Sequence, residues 1–103
     1  MFWFHYPVYF FAGVFFANFV PHFVSGVLGR PFPTPFASPP FRGQSSPKVN
    51  VLYGLCNLAV VNVLLWHIGA FDPKSAWHSS LFGLGLTLWA LMITRSLERI
   101  HHE

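Results

Sequence analysis

Three long apolar runs, separated by proline-rich or polar breaks, are the feature that most constrains how this chain folds. They cover residues 3–28, 47–68 and 73–99. Each run reaches or exceeds the length of about 20 residues that an α-helix needs to cross a bilayer. Only 9% of the residues are charged, against about 25% in soluble domains, so the chain lacks the charge to cover a soluble surface. The sequence therefore predicts an all-α membrane protein with one transmembrane domain over residues 1–103.

The breaks between the runs contain residues that end and start helices. Gly29 follows the first run and suits the left-handed conformation that closes a helix. Ser46 before Pro47 is typical of an N-cap followed by a first-turn proline. Asp72 before Pro73 repeats that pattern after a gap of only a few residues. We therefore expect the second and third helices to form a tight antiparallel hairpin.

The connector between the first and second helices, residues 30–46, is rich in proline and phenylalanine. Its five prolines restrict the backbone to extended or polyproline-like conformations, which predicts a structured connector rather than a flexible tether. A solvated tether would not need the phenylalanines Phe32, Phe36 and Phe41. We expect them to lie on the membrane surface or over the helix ends, and a docking surface for a partner subunit is the alternative.

The basic residues predict the orientation of the chain in the membrane. Cytoplasmic loops carry an excess of lysine and arginine. The turn between the second and third helices contains only Lys74. The other five of the six basic residues lie in or beside the first connector and near the C-terminus: Arg30, Arg42, Lys48, Arg95 and Arg99. A multi-pass protein with a periplasmic N-terminus and a cytoplasmic C-terminus is predicted.

Polar side chains within the apolar runs are the candidate functional residues. Asn18, His22 and Ser25 follow the i, i+4, i+7 spacing that places them on one face of the first helix. Asn57 lies at a similar depth in the second helix. Because amides in hydrocarbon need partners, we expect Asn18 and Asn57 to contact each other. His22 is the best candidate for a functional residue, since an imidazole titrates near neutrality.

The spacing on the second helix predicts how these polar residues pair. Asn50 and Gly54 lie on the same face as Asn57. Depths counted from the inner helix ends match His22 with Gly54 and Ser25 with Asn50. Gly54 would then leave room for the imidazole. Asn62 projects to another side of the helix and is expected to face the third helix.

His67, at the end of the second run, is a candidate ligand for a pigment or haem. It follows Trp66, and phenylalanines elsewhere in the chain could line a cavity around a flat macrocycle. His67, His78 and His5 are expected at similar heights, and imidazoles can bind a transition metal. Their spacing matches no known metal site, so we predict none.

Three sequence patterns resemble those of small, uncharacterised bacterial inner-membrane proteins. The patterns are N-x-x-P-H-F-x-x-G-x-x-G-R over residues 18–30, F-P-x-P-F-A over residues 32–37 and S-S-P over residues 45–47. Together they extend from the first helix to the start of the second. The resemblance implies a location in a bacterial inner membrane and implies no activity.

The sequence contains no catalytic motif and no nucleotide-binding loop, and its few scattered basic residues do not favour nucleic-acid binding. We therefore expect a protein that is not an enzyme. The first hypothesis is an accessory or structural subunit of a larger membrane complex, in contact with lipids and other membrane subunits. One alternative is a binder of a pigment, haem or quinone, and a second is a small homo-oligomeric channel or carrier.

Overall fold

The computed structural model describes residues 3–102, with side chains up to Arg99, so residues 1, 2 and 103 of the predicted domain lie outside it. Within this part the chain forms three helices: α1 (His5–Val27), α2 (Pro47–Asn62) and α3 (Ala76–His102). A π-helical segment, Val63–Ile68, continues α2. All three helices are long and apolar enough to span a membrane, with mean hydropathies of 1.5, 1.8 and 1.4 in chain order.

The first helix holds the bundle together. α1 packs against both α2 and α3 along much of its length. α2 runs antiparallel to α1, since Gly26 lies against Pro47 at one end and Tyr9 lies against Gly69 at the other. α3 runs parallel to α1. α2 and α3 contact each other little, so the predicted tight hairpin is not confirmed.

Glycines bring the helix backbones into direct contact on both sides of α1. A Cβ added at Gly13 would lie 2.0 Å from the Phe82 carbonyl oxygen of α3, and one at Gly85 would lie 2.0 Å from the Phe10 carbonyl oxygen of α1. Toward α2, a Cβ at Gly54 would lie 3.0 Å from the Phe23 backbone nitrogen. Gly54 therefore lies beside the residue after His22, as the depth count predicted, but the atoms nearest to it belong to Phe23 and not to the imidazole.

The ends of α1 and α2 follow the capping signals in the sequence. Gly29 adopts a φ of 73°, in the left-handed region that glycine tolerates best. The Arg30 N–H donates to the Ser25 carbonyl at 2.8 Å, which closes the helix. At the start of α2, the Ser46 hydroxyl accepts a 3.2 Å hydrogen bond from the Val49 N–H.

The third helix starts later than the sequence predicted, at Ala76 instead of Pro73. The Asp72 carboxylate does not cap it, because it accepts the Lys74 N–H at 3.0 Å and so forms a local turn. Ser75 serves as the cap: its hydroxyl accepts the His78 N–H at 3.2 Å.

The connector folds back on itself. Strand β1 (Phe32–Pro33) pairs antiparallel with strand β2 (Gln44–Ser45). Thr34 is fully buried, and its carbonyl accepts the backbone N–H groups of Ala37 and Phe41. These two backbone hydrogen bonds hold a short loop. Phe36 and Phe41 are largely exposed, although the Phe36 ring contacts Tyr53 of α2.

The π-helical segment was not predicted from the sequence, which indicated a continuous α-helix up to Ile68. Its wider turn appears in the hydrogen bond from the Gly69 N–H to the Leu64 carbonyl, at 2.9 Å. Beyond it, the Ala70 N–H donates to the Tyr9 hydroxyl at 3.1 Å. Tyr9 is fully buried, and its ring lies 4.4 Å from the ring of His78. The π-helical segment therefore ends at a point where three parts of the chain meet: α1, α3 and the turn that connects the segment to α3.

Candidate functional site

A cavity of ≈ 220 Å³, here called the lateral cleft, opens between α2 and α3 because these helices contact each other little. α1 forms its back wall, and the connector closes one end. Most of its lining is apolar. Its polar or hydrogen-bonding side chains include Asn18 and His22 from α1, Tyr53 from α2 and Trp89 from α3. The candidate site therefore collects residues from all three helices.

The predicted contact between Asn18 and Asn57 is present. Asn18 Nδ2 donates to Asn57 Oδ1 at 3.1 Å and to the Tyr53 hydroxyl at 3.2 Å. Asn57 Nδ2 donates to the Tyr53 carbonyl at 2.8 Å. A carbonyl can only accept, so this bond fixes the orientation of the Asn57 amide and turns its oxygen toward Asn18.

The network continues to the third helix. The Trp89 indole N–H donates to Asn18 Oδ1, although the distance of 3.4 Å makes this the longest bond of the set. Asn18 is therefore linked to both neighbouring helices near the middle of α1. In hydrocarbon such amide contacts stabilise helix association by about 0.6–2 kcal/mol each.

His22 pairs with Asn50, one turn closer to the connector. His22 Nδ1 and Asn50 Oδ1 lie 2.8 Å apart, and both residues are buried. The depth predicted for Gly54 agrees with the structure, since Gly54 lies against the backbone of Phe23, the residue after His22. Ser25 is only partly buried and takes no part in this network; its carbonyl closes the end of α1. Depth counting did not predict that the side chains of His22 and Asn50 bond to each other.

The surroundings of Asn50 determine which ring nitrogen of His22 carries the hydrogen. Asn50 Nδ2 lies 3.0–3.1 Å from three carbonyl oxygens, those of Phe32, Ser45 and Ser46. Since carbonyls only accept, the amide nitrogen faces them and Oδ1 faces the imidazole. His22 Nδ1 must then carry hydrogen, and Nε2 is the acceptor of the neutral ring.

The other polar residues singled out in the sequence, His67 and Asn62, lie outside the cleft. His67, the candidate pigment or haem ligand, is exposed at the far end of the bundle. Asn62 is exposed as well, and its side chain donates to the Leu58 carbonyl of its own helix, so the expectation that it faces the third helix is wrong. Among the described residues, no three His, Cys, Asp or Glu side chains form a group that could hold a metal ion.

Two residues of the site, Tyr53 and Trp89, were not predicted from the sequence, and neither was the hydrogen bond between His22 and Asn50. Tyr53 follows Asn50 by three residues and precedes Asn57 by four, so helical spacing already placed it on the polar face. Trp89 had a weaker signal: an indole N–H in mid-membrane needs an acceptor, but nothing in the sequence points to Asn18.

Comparisons of the chain with protein families, with curated proteins and with solved structures found no match. The resemblance to small bacterial inner-membrane proteins therefore stays a prediction. The function of the site is therefore inferred from its geometry.

Proposed function

We propose that this protein binds a small lipophilic molecule from the membrane and holds it in the lateral cleft. One observation carries the proposal: an apolar cavity between α2 and α3 has the hydrogen-bonding side chains of Asn18, His22, Tyr53 and Trp89 on its walls. Apolar walls with a few convergent polar groups are typical of small-molecule sites. The proposed role is binding.

The volume of the cleft limits the size of the group that it can hold. Its ≈ 220 Å³ exceed the roughly 150 Å³ of a cavity known to hold benzene. It stays below the roughly 300–1,000 Å³ of sites that enclose a drug-sized molecule. One substituted ring fits, with the rest of the ligand in the surrounding lipid. Of the pigment, haem and quinone alternatives, the quinone class agrees best, because a macrocycle is too large and His67 lies elsewhere.

Extraction of the purified protein tests this proposal. The full chain is purified from membranes, its bound lipophilic molecules are extracted with organic solvent, and the extract is analysed by mass spectrometry. Met92→Trp fills the cleft, since Met92 lines it. Leu91→Trp is the matched control, because Leu91 is an exposed α3 residue outside the lining.

We expect a compound, enriched over bulk lipid, that is retained by the Leu91→Trp protein and depleted from the Met92→Trp protein. Identical extracts from both variants, with no enriched compound in either, would contradict a ligand role for the cleft.

A second candidate function is the accessory subunit expected from the sequence. The observation in its favour is the outward face of α3: only 6% of its spanning window is buried, against 22% in each of the other two spans. A photoreactive amino acid at Leu88 of α3 is compared with one at Val24 of α1, both exposed. Protein adducts from Leu88 alone support a partner on α3, and lipid adducts alone from both positions argue against one.

The proposed location is an inner membrane, with the N-terminus outside and the connector inside. Single cysteines test it in a Cys56→Ala background, at Ser38 in the connector and at Pro73 in the turn before α3; both positions are exposed. A membrane-impermeant maleimide is expected to label Pro73→Cys in intact cells and Ser38→Cys only after permeabilisation. The reverse pattern would invert the orientation, and labelling of both in intact cells would require a different number of spans.

A further inference from the structure

We infer that the lateral cleft selects lipophilic molecules that carry a hydroxyl group on a ring, of the phenol or hydroquinol type. The ring hydroxyl donates to His22 Nε2 and accepts from the hydroxyl of Tyr53. This inference rests on the proposed function, because it names the chemical class of the ligand in the same cleft.

The acceptor of the site is His22. Its Nδ1–H is committed to Asn50, so Nε2 holds the lone pair of the neutral ring. Nε2 has no hydrogen bond to the part of the chain that the structure describes, although only 5% of the residue is exposed. It is not sealed in, because His22 lines the cleft. An unpaired acceptor that faces the cleft favours a ligand that brings a donor.

The donor is the hydroxyl of Tyr53, which also lines the cleft. Its oxygen already accepts a hydrogen bond from Asn18 Nδ2, at 3.2 Å. Its own hydrogen has no acceptor among the described residues, so it can be donated to a ligand. Donation from Asn18 polarises the hydroxyl and strengthens it as a donor.

The rings of His22 and Tyr53 pack against each other on the wall of the cleft. The ring centroids of His22 and Tyr53 are 4.7 Å apart, with an interplanar angle of 83°. Phe32 packs on His22 in the same edge-to-face manner, at 5.1 Å and 83°. Aromatic pairs prefer such contacts, so a ligand that carries a ring gains a further one in this part of the cleft.

The composition of the lining separates a ring hydroxyl from other lipophilic groups. No charged side chain lines the cleft among the described residues, so a carboxylate or phosphate would lack a counter-charge. A bare acyl chain would leave both His22 Nε2 and the Tyr53 hydroxyl unpaired. An oxidised quinone has acceptors only, so it satisfies Tyr53 but not His22. A hydroxyl is a small neutral group that satisfies both.

The test compares two probes that differ only in the donor hydrogen: 4-decylphenol and its methyl ether, 4-decylanisole. The full chain, labelled with 15N and held in lipid nanodiscs, is titrated with each probe. The NMR signal of the Trp89 indole N–H reports binding, because this group lies in the cleft wall. Trp89→Phe assigns the signal, and the indole of Trp77, exposed near the start of α3, reports effects of the probe on bulk lipid.

We expect 4-decylphenol to bind about threefold to tenfold more tightly than 4-decylanisole, the effect of one hydrogen bond to a buried acceptor. In Tyr53→Phe the phenol is expected to lose about threefold in affinity, since the donor is gone while the ring remains. Tyr6→Phe, remote from the cleft, serves as the matched control and leaves both affinities unchanged.

Equal affinity for the two probes in the unmodified protein overturns the inference, and this comparison needs no variant to fold. Absence of any Trp89 response to either probe overturns it as well. The proposed function is judged separately, by the compound extracted from the Leu91→Trp and Met92→Trp proteins. An extracted compound without a ring hydroxyl would keep the proposed function and refute the ligand class.

Discussion

Replacing Gly13 by alanine tests whether direct backbone contact sets the stability of the α1–α3 interface. The new Cβ would lie 2.0 Å from the Phe82 carbonyl oxygen and 2.8 Å from the Leu86 nitrogen. These are backbone atoms, so no rotamer change relieves the overlap. Bringing the first contact from 2.0 Å to an ordinary 3.4 Å requires α1 and α3 to separate locally by about 1.4 Å.

The cost follows from the lost contacts along the interface. A gap of even 0.5–1 Å forfeits roughly a quarter to a half of the dispersion energy of each contact. Overpacking in a well-packed core typically costs about 1–3 kcal/mol, and a backbone clash belongs at the upper end. We therefore expect Gly13→Ala to lower the free energy of unfolding by about 2–3 kcal/mol.

The assay is reversible unfolding of the purified chain in mixed micelles, followed by the fluorescence of its four tryptophans, of which Trp89 lies on α3 beside Asn18. Gly83→Ala is the matched control on α3, since a Cβ there has nothing within 4 Å. We expect the control to be unchanged or slightly more stable, because alanine is the better helix former. Equal free energies of unfolding for the two variants would refute the backbone-contact explanation.

Two further predictions concern buried polar groups. Asn50→Ala leaves the His22 Nδ1–H without its partner, so we expect a loss of about 2–3 kcal/mol in the free energy of unfolding. Asn62→Ala, which removes only an exposed bond within one helix, is expected to cost less than about 0.5 kcal/mol in the same assay. Tyr9→Phe removes the acceptor of the Ala70 N–H and is expected to cost about 1 kcal/mol. An equal loss for Tyr6→Phe, whose side chain is exposed, would show that the Tyr9 bond is not the cause.

The helices themselves could be predicted from the sequence because their determinants are local. Apolar runs of spanning length and the capping residues Gly29 and Ser46 gave the ends of α1 and the start of α2. The start of α3 was misplaced because Asp72 and Ser75 are both good caps, and the choice depends on which turn the chain makes.

The contact between Asn18 and Asn57 was predictable for a different reason. An amide in hydrocarbon needs a hydrogen-bond partner, and another amide at the same depth supplies one. Counting residues from the helix ends was therefore sufficient to predict this contact. The same counting did not predict the bond between His22 and Asn50. The orientation of the Asn50 amide depends on carbonyl groups of the connector, those of Phe32 and Ser45, and a count along two helices does not include the connector.

The lateral cleft could not be predicted, because it depends on which helix pairs with which. The short turn between α2 and α3 favoured a packed hairpin, yet both helices pack on α1 instead. Gly13 and Gly85 allow the closest approach of α1 to α3, whereas Gly83, two residues away, faces open space. The sequence contains all three glycines and does not say which of them meets another helix.

The central position of α1 has a consequence for the order in which the protein assembles. Because α2 and α3 contact each other little, either helix can dock on α1 before the other has done so. Assembly then consists of two separate steps, in which α2 and α3 each dock on α1, and these steps can occur in either order. The spacing between α2 and α3 is the result of both steps, so it can change when either interface shifts while the other stays intact.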